Sequence, residues 1–421
     1  MRILVVGNGG REHAMAWRLA GSPGVEVLIT KGNGGTDDVA RAIDVAPTDV
    51  DGVAAAARDL AVELVAVGPE APLAAGLADR LIADGVRVFG PVAAAARLEA
   101  SKAFSHEVME AAGVPCARSW TFDDAGAALR HLETCPLPVV VKADGLAAGK
   151  GVVVATTRDE ALGAARAFLV DGRLGAAGRT VVVEEFLAGQ EASFMVMTDG
   201  EHVVPLAGAR DHKRIFDGDR GPNTGGMGAY SPTPLLDDAT RDALLATVIR
   251  PTLGELARRG IPYRGVLYAG LMFTADGPRV LEFNCRFGDP ETQPVLYRLR
   301  GDLAEAMVAC AEGRLDRVAL AFDPRPAVCV VLAAGGYPDA PRTGDAITGL
   351  AQADRIPDAR VFHAGTRRQA DGTVVTTGGR VLGVTAIGAD FALARARAYE
   401  AARCIRFEGM QFRSDIGASA G

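Results

Sequence analysis

Val139-Val140-Val141-Lys142-Ala143-Asp144-Gly145-Leu146-Ala147-Ala148-Gly149-Lys150-Gly151-Val152-Val153-Val154-Ala155 consists of two apolar runs joined by a loop of glycine, alanine and charge. The runs at 139–142 and 152–155 are short and rich in valine, and turn residues bound them, so each reads as a strand. The loop between them imitates a phosphate-cradling P-loop and fails on inspection. Only three residues separate Gly145 from Gly149, and Gly151 stands where a Ser or Thr hydroxyl would reach Mg2+. It also precedes a strand, whereas a P-loop opens a helix. A Gly/Ala loop beside Lys142 and Lys150 reads instead as a lid over phosphates.

N-terminal to this loop, residues 1 to about 100 alternate short apolar runs with amphipathic stretches. Strands are expected at 3–6, 25–29, 64–67 and 86–89, with helices such as 11–19 and 71–83 between them; this is a βαβ domain with a parallel sheet. A helix starts at Ser101. The region from about 118 to 188 is compact, with a helix at 159–169 and a further strand at 181–185. Beyond it come a Gly-rich segment from 208 to 234, a helix at 239–259, and a hairpin of 265–273 with 279–283. Asp276-Gly277 supplies its turn. Pro324 and Pro326 mark a linker, after which 328–332 opens a strand-rich last domain. No internal repeat stands out.

Composition narrows the function classes. About half of the 421 residues are hydrophobic and 23% are charged, an ordinary globular balance for about three domains. The net charge of −7 carries no basic stripe, so nucleic acid is not an expected partner. The six cysteines are scattered without a CxxC pair, which gives neither a disulfide framework nor a zinc site and points to a reducing cytoplasm. The apolar start at 3–6 ends at Gly7, too short for a signal peptide, and no run approaches the ~18 apolar residues of a membrane span.

Gly7-Asn8-Gly9-Gly10-Arg11-Glu12 follows a strand and opens a helix, like a dinucleotide fingerprint. Glu12 occupies the third glycine position, and Leu28-Ile29-Thr30-Lys31 offers no carboxylate for a ribose, so NAD is not expected. What remains is either a set of N–H groups suited to a phosphate or a turn cluster with no ligand.

Four separated pieces carry the chemistry. Lys102 begins a helix, and Lys142 ends a strand before the Gly loop. Glu184-Glu185-Phe186-Leu187 ends another strand, with Glu191 shortly after. Glu282-Phe283-Asn284 ends the hairpin and is followed by Arg286. Any one alone has a bland reading as a surface lysine or an exposed strand carboxylate. Together, in this order, they resemble the ATP-grasp superfamily. The resemblance implies ATP, with Lys102 and Lys142 on its phosphates and the lid glycines Gly149 and Gly151 over them. Glu184 and the backbone from Glu185 to Leu187 would read adenine, and Glu191 the ribose. Glu282 and Asn284 alternate on one strand and face one side, where hard oxygens suit Mg2+ or Mn2+. One departure stands out: the preceding strand, Tyr268-Ala269-Gly270-Leu271-Met272-Phe273, has no acidic metal ligand. The rest of the metal shell is therefore expected from triphosphate and water.

Longer phrases narrow the resemblance. They include Val67-Gly68-Pro69-Glu70-Ala71-Pro72-Leu73, Asp211-His212-Lys213-Arg214, and Gly221-Pro222-Asn223-Thr224-Gly225-Gly226-Met227-Gly228. Arg286-Phe287-Gly288-Asp289-Pro290-Glu291-Thr292-Gln293, His363-Ala364-Gly365-Thr366 and Gly378-Gly379-Arg380-Val381 complete the set. Over nearly its whole length the chain resembles the phosphoribosylamine–glycine ligase (glycinamide ribonucleotide synthetase) family. That implies an α/β fold with α+β elements: an N-terminal parallel βαβ pre-ATP-grasp domain (1–100), a two-lobed ATP-grasp domain (101–323, lid lobe about 118–188) and a C-terminal β-rich domain (327–421). It implies ligation of glycine to 5-phosphoribosylamine through glycyl phosphate in purine biosynthesis.

Arg286, Lys142 and Asp289 are then the catalytic candidates. Gly9, Gly10, Pro69, Glu70, Asp211, Lys213 and Glu291 are the candidates for substrate binding. His13, His212 and His363 read as structural histidines, and Cys285 is given no role. The nearest rivals are an ATP-grasp ligase using bicarbonate or formate and an inactive nucleotide sensor. The Arg286 phrase favours glycine, and every chemical position is filled. A monomer is expected, and a chain ending at Gly421 leaves no room for fused pathway enzymes.

Overall fold

The computed structural model describes residues 1–147 and 151–420. Ala148, Gly149 and Lys150, the centre of the expected lid loop, lie outside the described residues. The N-terminal strands Arg2–Val6, Glu26–Thr30, Leu64–Val67 and Arg87–Phe89 form where the valine and isoleucine runs predicted them. A fifth, Arg41–Ile43, extends the parallel sheet, whose chain order across the sheet is third, second, first, fourth, fifth. The order reverses between Arg2–Val6 and Leu64–Val67, and a parallel sheet of this kind opens its crevice beyond the carboxyl ends at that point. Gly7 and Gly68 sit there.

The helix expected over 71–83 is two pieces, Glu70–Ala74 and Leu77–Ala83. Gly76 breaks it with a left-handed φ of 86°, which costs a glycine little. The helix expected over 239–259 also departs from regularity: Asp238–Leu244 passes through a π turn at Leu245–Ile249 into Arg250–Arg258. Pro251, which cannot donate a backbone hydrogen bond, follows that turn.

The small lobe is an antiparallel sheet ordered Ser119–Phe122, Val181–Glu185, Val139–Ala143, Val152–Ala155. Leu132 of helix Ala125–Thr134 and Phe168 of helix Arg158–Leu169 pack with Val139, Val141 and Val183 in a core of the lobe's own. The larger lobe is the antiparallel sheet Val203–Pro205, Gln190–Thr198, Gly265–Thr274, Gly277–Asn284. Its Met195, Met197, Val266 and Tyr268 share one core with Ile3, Val5, Ala66 and Phe89 of the N-terminal sheet, which fixes these two units against each other.

The Gly-rich segment is more structured than its composition suggests. Its strands Arg210–Asp211 and Gly228–Ser231 join Ala327–Ala333, Arg380–Ile387 and Ala359–His363 in a single sheet. Gly228 permits that junction. With φ at 154°, a Cβ there would stand 2.6 Å from the carbonyl oxygen of Cys329. No helix among the described residues is long and apolar enough to cross a membrane.

Candidate active site

A cleft of about 770 Å³ opens between the small lobe and the hairpin Gly265–Thr274/Gly277–Asn284. Lys102, Lys142, Gly151, Glu184, Glu185, Leu187, Glu191, Asp211, Lys213, Glu282, Asn284, Arg286, Asp289, Glu291 and Glu70 all line it. The expected residues from four distant stretches thus converge. Gly9, Gly10 and Pro69 do not line this cleft.

Two lysines occupy one corner. Ser101 caps the helix Lys102–Ala112 through Phe104 N–H, which places Lys102 at its first position. The Lys102 ammonium lies 3.4 and 3.3 Å from the carbonyl oxygens of Asp144 and Gly145, at the root of the glycine loop, and burial lowers its pKa. The Lys142 ammonium donates to Glu184 Oε2 at 2.8 Å and to the Leu281 carbonyl at 3.1 Å. Glu184 is buried. Burial alone would raise its pKa, but the Lys142 charge and a hydrogen bond from His106 outweigh it and hold the carboxylate ionised. Its side chain is therefore engaged by protein on both oxygens. The Glu185 carboxylate pairs with Arg118 and Arg279.

The opposite end is crowded with carboxylates. Lys213 pairs with Glu191 at 3.0 Å and reaches Glu282 at 3.7 Å. Burial opposes its charge, yet Glu191, Glu282 and Asp211 together raise its pKa. Asp211, desolvated and facing the Glu291 charge, is pushed up to about 8. Glu291 accepts from Ser193 Oγ at 2.8 Å and Tyr268 OH at 2.7 Å.

Glu282 and Asn284 keep the expected alternation. Glu282 lies opposite Gly270 and Asn284 opposite Tyr268, and the register irregularity falls just before them. Desolvation of Glu282 is outweighed by Lys213, Lys142 and Lys102, so it stays ionised. Among the described residues no group of three or more His, Cys, Asp or Glu side chains could hold a metal. The donor set is one carboxylate and one amide oxygen on the cleft wall. That fits Mg2+, which keeps most of its shell as water and phosphate oxygens.

Arg286 Nη2 meets Glu99 Oε1 at 2.6 Å, and its Nε lies 3.4 Å from Glu70. Those acids outweigh burial and keep the guanidinium charged. Asp289 is held below the usual carboxylate range because Arg380, 3.2 Å away, and Arg11 overcome its burial.

Comparison with known proteins gives this geometry a family. Phosphoribosylglycinamide synthetase domain descriptions match end to end: the N domain over residues 1–99, the ATP-grasp (A) domain over 100–292 and the C domain over 327–419. A phosphoribosylamine–glycine ligase of Ralstonia nicotianae is 51% identical over 419 residues, covering 99% of each chain. The chain belongs to this family. The crystal structure of the Thermotoga maritima phosphoribosylamine–glycine ligase superposes with a TM-score of 0.85 at 34% identity, covering 99% of this chain and 100% of that one. The biotin carboxylase domain of Hydrogenobacter thermophilus 2-oxoglutarate carboxylase, in complex with MgADP, ADP and bicarbonate, shares the fold. Its TM-score is 0.76 at 18% identity, over 97% of this chain and 91% of that one.

In this member of the phosphoribosylglycinamide synthetase family, the Gly9 N–H is already taken by Glu12 Oε2 at 2.7 Å. Gly9 and Gly10 face Asp289 and Gln293: a Cβ on Gly10 would stand 2.8 Å from Gln293 Nε2. They thus border the Asp289 end of the site through Asp289, a catalytic candidate, and Gln293, to which sequence reasoning gave no role. Pro69 packs beside Gly7. His13 and His363 are buried, their pKa values lowered to about 3 and about 4 chiefly by desolvation, and the His363 N–H donates to His13 Nδ1. His212 is buried too. Cys285 is buried, and desolvation pushes its thiol up, which makes it a poor nucleophile.

Sequence reasoning missed Glu99, His106, Ser193 and Tyr268, and it quoted Arg380 without a role. None stands in a motif whose spacing betrays a partner; Glu99 and Arg286 are 187 residues apart.

Proposed function

We propose that this chain ligates glycine to the amino group of 5-phosphoribosylamine, converting ATP to ADP and phosphate, as the glycine-ligation step of purine biosynthesis. The relatives' names support this reading, and the cleft's division into a lysine corner and a carboxylate-rich end carries it. In the first step a glycine carboxylate oxygen attacks the γ-phosphorus, ADP leaves and glycyl phosphate forms. In the second, the amine attacks the acyl carbon, phosphate leaves and the amide forms with loss of a proton. No protein nucleophile is required, because ATP supplies the activation.

The chain contributes positioning and charge. Lys102, Lys142 and Arg286 neutralise phosphate oxygens, while the backbone at 185–187 reads adenine beside the apolar walls of Val140, Val154 and Met272. Glu191 meets the ribose. Glu282 and Asn284 would hold Mg2+, or Mn2+ in its place, which would supply charge neutralisation at the triphosphate. Asp211, Lys213, Asp289 and Glu291 recognise glycine and the amine, and Gly9, Gly10, Pro69 and Glu70 take the phosphoribosyl end. Gly151 borders the cleft beside a small lobe at about 118–188, and Gly149, the other glycine expected over the phosphates, lies outside the described residues. The chain divides into units at 1–100, 101–323 and 327–421, and works as a cytoplasmic monomer on small molecules.

The test is ADP release across carboxylates and amines. Release is expected only when glycine and freshly made phosphoribosylamine are both present. Equal turnover with bicarbonate and no glycine would sink the assignment.

A further inference from the structure

Lys142 has three N–H donors, and two are spent on protein acceptors, Glu184 Oε2 and the Leu281 carbonyl. The direction of the third is therefore fixed by where those acceptors sit. Glu184 in turn is not held by Lys142 alone. Its other oxygen, Oε1, lies 2.9 Å from His106 Nε2. A carboxylate there only accepts, so Nε2 carries the hydrogen. All three side chains are nearly sealed from solvent, with 11% of His106, 3% of Glu184 and 8% of Lys142 exposed.

The local geometry comes from the helix Lys102–Ala112. His106 follows Lys102 by four residues, so one turn of helix presents both to the same wall. The helix that delivers one phosphate lysine thereby steadies the other through Glu184. Strand Val181–Glu185 carries Glu184 and lies beside strand Val139–Ala143 carrying Lys142, with Val140 opposite Glu184. The chain His106–Glu184–Lys142–Leu281 then ends one residue before Glu282.

We propose that His106 is a positioning residue for nucleotide binding: its imidazole fixes the Glu184 carboxylate so that the Lys142 ammonium points at the phosphates. This rests on the reading of Lys142 as a phosphate ligand. Without the imidazole donor, Glu184 Oε1 becomes a buried acceptor with no partner. The carboxylate then turns toward Lys142 and takes the donor meant for the nucleotide.

The experiment measures equilibrium binding of ATP, ADP and adenosine to wild type, His106→Leu, His106→Gln and Lys142→Met, with melting temperature as the fold control. Losing a hydrogen bond to a charged group predicts that His106→Leu weakens ATP and ADP about tenfold or more, with adenosine within about threefold. His106→Gln, whose amide can place a donor near Nε2, is expected within about threefold of wild type for all three ligands. Should the leucine variant not fold, His106→Ala takes its place.

Lys142→Met tests the underlying reading separately, since unchanged ATP binding there would remove Lys142 from the phosphates and this inference with it. If Lys142→Met loses ATP while folded His106→Leu binds it normally, only the positioning role of His106 is overturned. Equal weakening of adenosine and ATP in His106→Leu overturns it as well, because damage to the pocket in general would do the same.

Discussion

The two ends of the cleft are built from the same residue types in opposite proportion. At the glycine-loop corner, among the described residues, Lys142 is bonded to Glu184 and Lys102 lies against two backbone carbonyls. At the far end Lys213 stands among Glu191, Glu282, Asp211 and Glu291. The first corner keeps its cations by binding each to fixed carbonyls or to Glu184, which leaves donors for an incoming anion. The second holds more carboxylates than its lysine can pair with, and Asp211 there has its pKa pushed up to about 8, by desolvation first and by the Glu291 charge second. An excess of carboxylate suits a cation and an amine.

The strongest way to break this comparison is Glu282→Gln. Glu282 is the cleft carboxylate assigned to the metal, and Gly270 opposite it offers no second one. Losing charge stabilisation of several kcal/mol predicts a fall in kcat on the order of a hundredfold or more, at ~1.4 kcal/mol per tenfold. The melting temperature should barely move, since Glu191 still pairs with Lys213. Rate against Mg2+ concentration reads the effect, and near-normal activity at low Mg2+ would remove Glu282 from the site.

Glu191→Gln probes the border between the two ends. A ribose contact to a charged acceptor is worth about 1.5–3 kcal/mol, so the ATP dissociation constant should rise roughly ten- to a hundredfold in a folded protein. An unchanged constant would leave Glu191 with only its Lys213 pairing.

A pH slope probes the same end through stability instead of activity. Asp211 ionises near 3.8 when unperturbed and near 8 in the folded chain. Between those values unfolding releases its proton, so the native state loses stability as pH rises, by at most ~1.4 kcal/mol per pH unit. Asp211→Asn cannot titrate. Its stability relative to wild type should therefore grow from pH 4 to pH 8 in denaturant titrations. A constant difference across that range would mean that burial and the neighbouring carboxylates do not hold the Asp211 proton.

Much of this was legible before any coordinates, and for a local reason. Runs of valine and isoleucine bounded by turn residues marked the strands of the N-terminal sheet and the small lobe. Period-two alternation put Glu282 and Asn284 on one face, and the helix expected from Ser101 begins at Lys102. Each of these depends on a few neighbouring residues. Other expectations failed locally: the 71–83 helix did not survive Gly76, and the Gly-rich segment was too irregular to reveal the two strands it lends to the last sheet.

What the sequence by itself determined was the family, the order of the elements and the residue types of the site. Only the tertiary structure decided the pairings: Glu99 with Arg286, Arg380 with Asp289, and His106 with Glu184. A buried charge must find a counter-charge or pay desolvation, but that requirement names no position along the chain. Partners 187, 91 and 78 residues apart are selected by the packing of sheets and helices that brings them together.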